Sequence, residues 1–242
     1  MPPSPIELGA YRKIVILTGA GVSKASGLPT YRGEGGLWSR PEVAQFNDAR
    51  ALDRDPAGLW AFFGELRSKV RVAPPNPAHE ALARVEQRLD ASQRMTVITQ
   101  NVDELHQRAG SVNVVELHGS LFRTRCTNVR CRSVPFHDEH SYESPPLCPQ
   151  CHSPLRPAVT LFSEAIDVDA EWQSKLALRD CQLFLAIGTS GSVSPASNFV
   201  RSAAYEGALT VFINTEPMNP INDAFARTIL GRAEDVLPSL FV

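Results

Sequence analysis

Five short apolar runs punctuate the chain, at residues 14–17, 96–99, 114–117, 183–187 and 209–213, each followed by glycine or polar residues. Runs this short and this rich in Val, Ile and Leu read as buried strands. Helical signals lie between them. Asn76-Pro77 sets a capping side chain before a proline at the first helical position, and 78–89 then keeps an apolar spacing. Pro195 opens a similar segment that ends near Gly207, and Leu59, Phe62, Phe63, Leu66 and Val70 make the apolar stripe of an amphipathic helix. Strands alternating with helices require right-handed crossovers, so the expected fold is α/β, a Rossmann-type, mainly parallel sheet with helices on both faces. Residues 119–155 break the pattern: they hold four cysteines, several prolines and no core helix. They are expected to form a small inserted module, with 1–118 and 156–242 as the large domain.

At 242 residues the chain has room for one large domain plus such a module. With 24 Lys+Arg against 26 Asp+Glu, the formal net charge of -2 gives no electrostatic footprint for direct nucleic-acid binding. The apolar runs fall far short of the roughly 20 residues that cross a bilayer, so no membrane partner is expected. Residues 1–10 lack the basic and apolar regions of a secretory signal, which favours a reducing cytoplasm.

That compartment decides how the cysteines are read. Cys126-x4-Cys131-x16-Cys148-x2-Cys151 places two close pairs across a short segment, able to surround one tetrahedral ion. Structural zinc is expected over disulfides. Four thiolates leave no open position on the ion, so it stabilises the fold and takes no part in catalysis. Cys181, beside an apolar run, is a small buried hydrophobe.

The first strand runs into Thr18-Gly19-Ala20-Gly21-Val22-Ser23, where a glycine turn opening a helix lets backbone N–H groups meet a pyrophosphate. The third glycine of the dinucleotide fingerprint is replaced by Lys24, so the pattern alone also fits an ordinary tight turn. A glycine-rich loop with Tyr31, Arg32 and Trp38 follows, suited to closing over a cofactor. Gln100, Asn101 and Asp103 stand at the carboxyl end of the second strand, the edge where open α/β sheets bind ligands. His118 ends the third, with the reference pKa of a general base. Histidines 79, 106, 137, 140 and 152 lack that context and are read as surface, helix or loop residues. Gly188-Thr189-Ser190 and Asn214-Thr215-Glu216 close two later strands at the same edge.

Taken together, the ordered motifs resemble the sirtuin family of NAD-dependent protein lysine deacylases, over nearly the whole chain. They run Gly-Ala-Gly-Val-Ser-x2-Ser-Gly-Leu-Pro-x-Tyr-Arg, Thr-Gln-Asn-Val-Asp-x-Leu-His, Leu-His-Gly, the cysteine pairs, Leu-Arg-Pro-x-Val, Gly-Thr-Ser and Asn-Thr-Glu. The resemblance implies NAD as co-substrate and zinc as structural metal. It implies that Gly19, Ala20, Gly21, Ser23, Tyr31, Arg32 and Trp38 border the cofactor. Gln100, Asn101 and Asp103 would face its nicotinamide ribose, and Gly188, Thr189, Ser190, Asn214, Glu216 and Ala233 its adenosine side. His118 would be the base, with Asn101 and Asp103 sharing the catalytic site. An acyl-lysine protein or peptide would pair through the 159–163 backbone and yield nicotinamide, free lysine and O-acyl-ADP-ribose. ADP-ribosyl transfer and removal of succinyl or malonyl groups are the alternative activities.

Two departures bear on the acyl group. The branch that removes succinyl and malonyl groups grips the acyl carboxylate with a Tyr-x2-Arg motif, and this chain has Phe63 and Leu66 there. Arg67 is adjacent but about 100° further round a helix. Acetyl or longer apolar acyl groups are therefore expected. Among the substrate-facing positions Val159, Leu161 and Phe162, the family commonly has Trp at that of Leu161, and Gly at that of Ser163, a change that bears on the acyl-lysine tunnel.

Overall fold

The computed structural model describes residues 4–31, 36–37, 40–191 and 193–242. Arg32 and Trp38, both expected at the cofactor, lie outside the described residues. The strands are β1 (Lys13–Thr18), β2 (Arg94–Thr99), β3 (Val114–Glu116), β4 (Gly119–Cys126), β5 (Phe136–His137), β6 (Leu155–Val159), β7 (Leu183–Ile187), β8 (Leu209–Asn214) and β9 (Arg227–Leu230). The helices are α1 (Pro41–Ala44), α2 (Ala51–Arg54), α3 (Pro56–Val72), α4 (Pro77–Arg88), α5 (Leu105–Arg108), α6 (Val168–Leu178), α7 (Phe199–Tyr205) and α8 (Ala233–Leu240).

Six strands form a parallel sheet in the order β3-β2-β1-β7-β8-β9. The chain works outward from β1 on one side and from β7 on the other, so their carboxyl ends diverge into a crevice, the place where doubly wound sheets hold ligands. Side-chain alternation assigns the two faces. Ile14, Ile16, Val97, Leu185 and Ile213 meet α4 and α8, while Val15, Leu17, Ile98, Phe184 and Phe212 meet α6 and α7. All five apolar runs are strands. The sixth, β9, lacks an apolar run because it is an edge strand with only Ile229 buried.

The second sheet, β5-β4-β6, is antiparallel. Strand β6 was expected with the large domain from residue 156 onward, but it pairs with β4, so the small sheet reaches Val159. Helix α3 lies against this region. Its Trp60 indole N–H donates to Leu155 O at 3.0 Å and meets Tyr142 edge-on. Its Arg67, only 2% exposed, donates to Leu121 O at 2.8 Å and His140 O at 2.5 Å and stands 3.8 Å from Asp138. The neighbouring stripe of α3, Leu59, Phe63, Leu66 and Val70, joins Leu121, Phe122, Val159 and Leu161 in a third apolar cluster. One face of α3 thus grips the cysteine module while the other lines the cleft.

Candidate active site

The turn after β1 is a 3-10 segment, Ala20–Ser26, where an α-helix start was expected. It is pressed onto the turn after β7. Gly19 N–H donates to Ile187 O at 3.1 Å and Gly21 N–H to Gly188 O at 2.9 Å. A Cβ on Gly21 would come within 2.8 Å of Gly188 Cα, and Gly188 itself has φ +59. Gly19 and Gly21 therefore supply close backbone approach, and their N–H groups, expected to meet a pyrophosphate, are already satisfied inside the protein.

Above these turns opens a cleft of about 1060 Å³. It gathers Ala20, Tyr31, Gln100, Asn101 and His118 from one side of the crevice and Thr189, Ser190, Asn214, Glu216 and Ala233 from the other. Phe63, Val159, Leu161 and Phe162 line its outer part. A small recess continues inward past Ala20, Tyr31 and Asn101 to Ser23, Asp103 and Leu66. Every described residue expected at the site on sequence grounds lines the cleft or its recess.

Hydrogen bonds fix the polar groups. Gln100 Nε2 donates to Thr189 Oγ1 at 3.0 Å and Asn214 Nδ2 to Thr189 O at 3.2 Å, tying three strand ends together. Ser23 Oγ donates to Asp103 Oδ2 at 2.7 Å and accepts from Asn101 Nδ2 at 3.0 Å. Burial raises the Asp103 carboxyl above its ordinary value, partly offset by the Leu105 N–H and Ser23 hydroxyl. Asn101 Oδ1 is buried with no partner among the described residues. An orphaned acceptor where the cleft meets its recess suits a ligand hydroxyl, because leaving it unpaired costs free energy. With the glycine-lined gap beside it, the cleft fits NAD.

His118 Nδ1 donates to the Gln100 carbonyl at 3.1 Å. This places the neutral ring's proton on Nδ1 and leaves Nε2 as the acceptor. Burial lowers the His118 pKa, with the Gln100 bond pulling it partly back.

Two further histidines were missed by the sequence reading. His79 and His106 are 0% and 1% exposed and meet edge-to-face, ring centroids 4.8 Å apart, beneath the site. Asn76 N–H donates to His79 Nδ1 at 3.3 Å, so Nε2 carries the proton and reaches Ser23 Oγ at 3.4 Å. His106 Nε2 lies 2.9 Å from Thr18 Oγ1, whose hydroxyl donates to Thr99. The available signal was Asn76-Pro77-x-His79, a capping box in which the histidine returns the bond.

Burial pushes the His79 imidazole down to about 4. The unfolded chain then binds the extra proton between that value and the ordinary imidazole value of about 6.5, so stability falls as pH drops through this window, by on the order of 3 kcal/mol. Urea midpoints measured from neutral pH downward are expected to fall less steeply for His79→Gln than for the wild type. Parallel curves would remove His79 as a source of the acid sensitivity.

The sulfurs of Cys126, Cys131, Cys148 and Cys151 all lie within 4.8 Å of one another. Cys126 and Cys151 are 3.5 Å apart, and Cys131 and Cys148 3.8 Å. These separations are too long for a disulfide and match the edges of a tetrahedron with Zn–S bonds of about 2.3 Å. Backbone N–H groups of Asn128 and Ser133 point at Cys126 and Cys131 Sγ, at 3.4 and 3.5 Å, as they would toward thiolates. The four cysteines thus fit structural zinc. Cys181 is separate and fully buried.

Comparison with known proteins agrees with this geometry. The Sir2 family model matches residues 19–195. A Pyrobaculum aerophilum protein named NAD-dependent protein deacylase 2 is 44% identical over 236 residues, spanning 96% of this chain and 91% of its own. A Sir2 homolog–NAD complex superposes with a TM-score of 0.85 at 36% identity, covering 95% of this chain and 88% of that one. A Sir2–p53 peptide–NAD+ complex does so with a TM-score of 0.81 at 31% identity, covering 95% and 92%.

Proposed function

Because the chain belongs to the Sir2 family, we propose that the cleft carries out NAD-dependent removal of acyl groups from protein lysines, with acetyl and longer apolar acyl groups preferred. The observation that carries this reading is His118, whose Nε2 is unprotonated at the wall of a cleft that also contains the unpartnered Asn101 Oδ1. NAD supplies, when bound, an anomeric carbon open to attack once nicotinamide leaves. The protein's task is to hold that carbon against the acyl oxygen and to move one proton.

Asn101 and Asp103, braced by Ser23, would hold the ribose hydroxyls at the cleft side of the recess. His118 Nε2 takes a proton from that hydroxyl system, and the Gln100 carbonyl steadies the imidazolium through Nδ1–H. Gly188, Thr189, Ser190, Asn214, Glu216 and Ala233 seat the adenosine half. Phe63, Val159, Leu161 and Phe162 enclose the acyl-lysine stem and exclude water. Cys126, Cys131, Cys148 and Cys151 would hold zinc, which would stabilise the module and supply no chemistry. Cysteines held on zinc and not paired as disulfides would suit a reducing compartment, and no described helix is long and apolar enough to cross a membrane.

The acyl preference follows from what faces the inner recess. Leu66 lines it, beside Val70 and Leu121, while the Arg67 guanidinium is turned toward Leu121 O and His140 O. An acyl carboxylate would meet hydrocarbon and lose its hydration without a cationic partner. At about 3 kcal/mol, that corresponds to roughly 10²-fold in kcat/KM. Nicotinamide release measured with NAD and a panel of acetyl-, butyryl-, octanoyl- and succinyl-lysine peptides is expected to show that gap in favour of the apolar groups. Release with none of them would overturn the deacylase reading; equal rates for succinyl would overturn the preference alone.

A further inference from the structure

Ser163, on the outer wall of the cleft, has φ +70, a left-handed backbone conformation disfavoured for a residue with a side chain. Its hydroxyl donates to Asp48 Oδ2 at 2.7 Å. Asp48 is in turn fixed, its Oδ1 accepting from Arg50 Nε at 2.8 Å and Arg50 N–H at 3.0 Å. Backbone bonds flank this contact: Phe162 N–H donates to Asn47 O at 2.8 Å and Ala49 N–H to Phe162 O at 3.0 Å. Leu161 N–H is taken by Glu164 Oε2 at 2.8 Å. The backbone polar groups of Phe162 are thereby used up inside the protein. Those of Ser163 have no partner among the described residues.

We propose that Asp48 is a positioning residue for the acyl-peptide substrate: by holding the Ser163 hydroxyl it keeps Ser163 in its left-handed conformation, which presents the free Ser163 N–H and C=O to the peptide backbone. The inference rests on the deacylase reading and deepens it, locating the pairing edge at Ser163 and giving Phe162 a side-chain role only. Asp48 lines neither the cleft nor its recess. It acts through one hydroxyl, and that hydroxyl matters because a Cβ makes the conformation unfavourable without it.

Glycine at this position separates the latch from a substrate-binding hydroxyl. Asp48→Ala and Ser163→Ala are each expected to raise KM for an acetyl-lysine peptide about 10-fold, with KM for NAD unmoved. Ser163→Gly lacks the hydroxyl too, but glycine adopts φ +70 freely. It is expected to show a peptide KM at least about 5-fold below that of Ser163→Ala, and adding Asp48→Ala to it should change nothing further. Ser163→Gly as impaired as Ser163→Ala, or Asp48→Ala equal to the wild type, would overturn the proposal. Deuterium exchange of segment 160–166 without substrate reads the same latch independently of turnover. Asp48→Ala is expected to speed exchange in the wild-type background and not in the Ser163→Gly background; equal acceleration in both, or none, would overturn it. A wild-type protein with no acyl-dependent nicotinamide release would instead defeat the deacylase reading, leaving exchange to judge the latch.

Discussion

His118→Ala is expected to lower kcat/KM for deacylation by at least about 10³-fold while leaving the Kd for NAD within about 3-fold, since a positioned general base contributes roughly 10²–10⁴-fold. The separation of the two effects follows from the geometry. His118 approaches the site with one nitrogen, and its other is held by the Gln100 carbonyl. The remaining groups proposed to seat the cofactor line the cleft from other elements. Isothermal titration with NAD and steady-state kinetics on one preparation read both quantities. A variant that loses both equally would make His118 a binding residue, and unchanged turnover would remove it from the mechanism.

The pH profile carries the same assignment. Burial disfavours the imidazolium, so the His118 pKa lies below its ordinary value near 6.5. A base is active when unprotonated, so kcat/KM is expected to fall in acid with its half-maximal point below pH 6.5. A half-maximal point above pH 6.5 would contradict this environment.

Cys148→Ser is the second large effect. Cys148 is 0% exposed and packs with Trp60 and Leu155 at the centre of the module. Removing one of four thiolates destroys a closed tetrahedral site, and binding energy of a structural zinc is folding energy. Metal analysis is expected to fall from about one zinc per chain to almost none. Stability should drop by at least about 3 kcal/mol, lowering Tm by roughly 6–12 °C. Because Trp60 and Arg67 fasten α3 to this module, the damage should also reach the acyl-lysine KM. Wild-type protein without zinc, or a variant that retains it, would refute the metal assignment.

The parallel sheet was legible because its central strands are buried on both faces and so spell continuous apolar runs. Strand β9 has only Ile229 inside, and β4 to β6 belong to a small sheet stabilised by cysteines and by α3, so neither announces itself by hydrophobicity. The cleft residues were legible because loops at the carboxyl edge converge there whatever their separation in sequence. His79 and His106 were not, because a histidine inside a helix carries no sign of which neighbour will bury it. Nor was the glycine turn read correctly in detail. Its N–H groups serve the packing of β1 against β7, a contact between residues 21 and 188 that local pattern does not contain. Ser163 and Asp48 are 115 residues apart, and only the folded chain brings their side chains into a hydrogen bond.

The central claim is that acyl removal and NAD cleavage are one coupled reaction in this cleft. Mass spectrometry of a reaction with NAD and acetyl-lysine peptide tests it most directly. Nicotinamide, free-lysine peptide and O-acetyl-ADP-ribose are expected in equal amounts, with none formed when either substrate is omitted. Nicotinamide released without peptide, or ADP-ribose attached to protein with the acetyl group still in place, would contradict it.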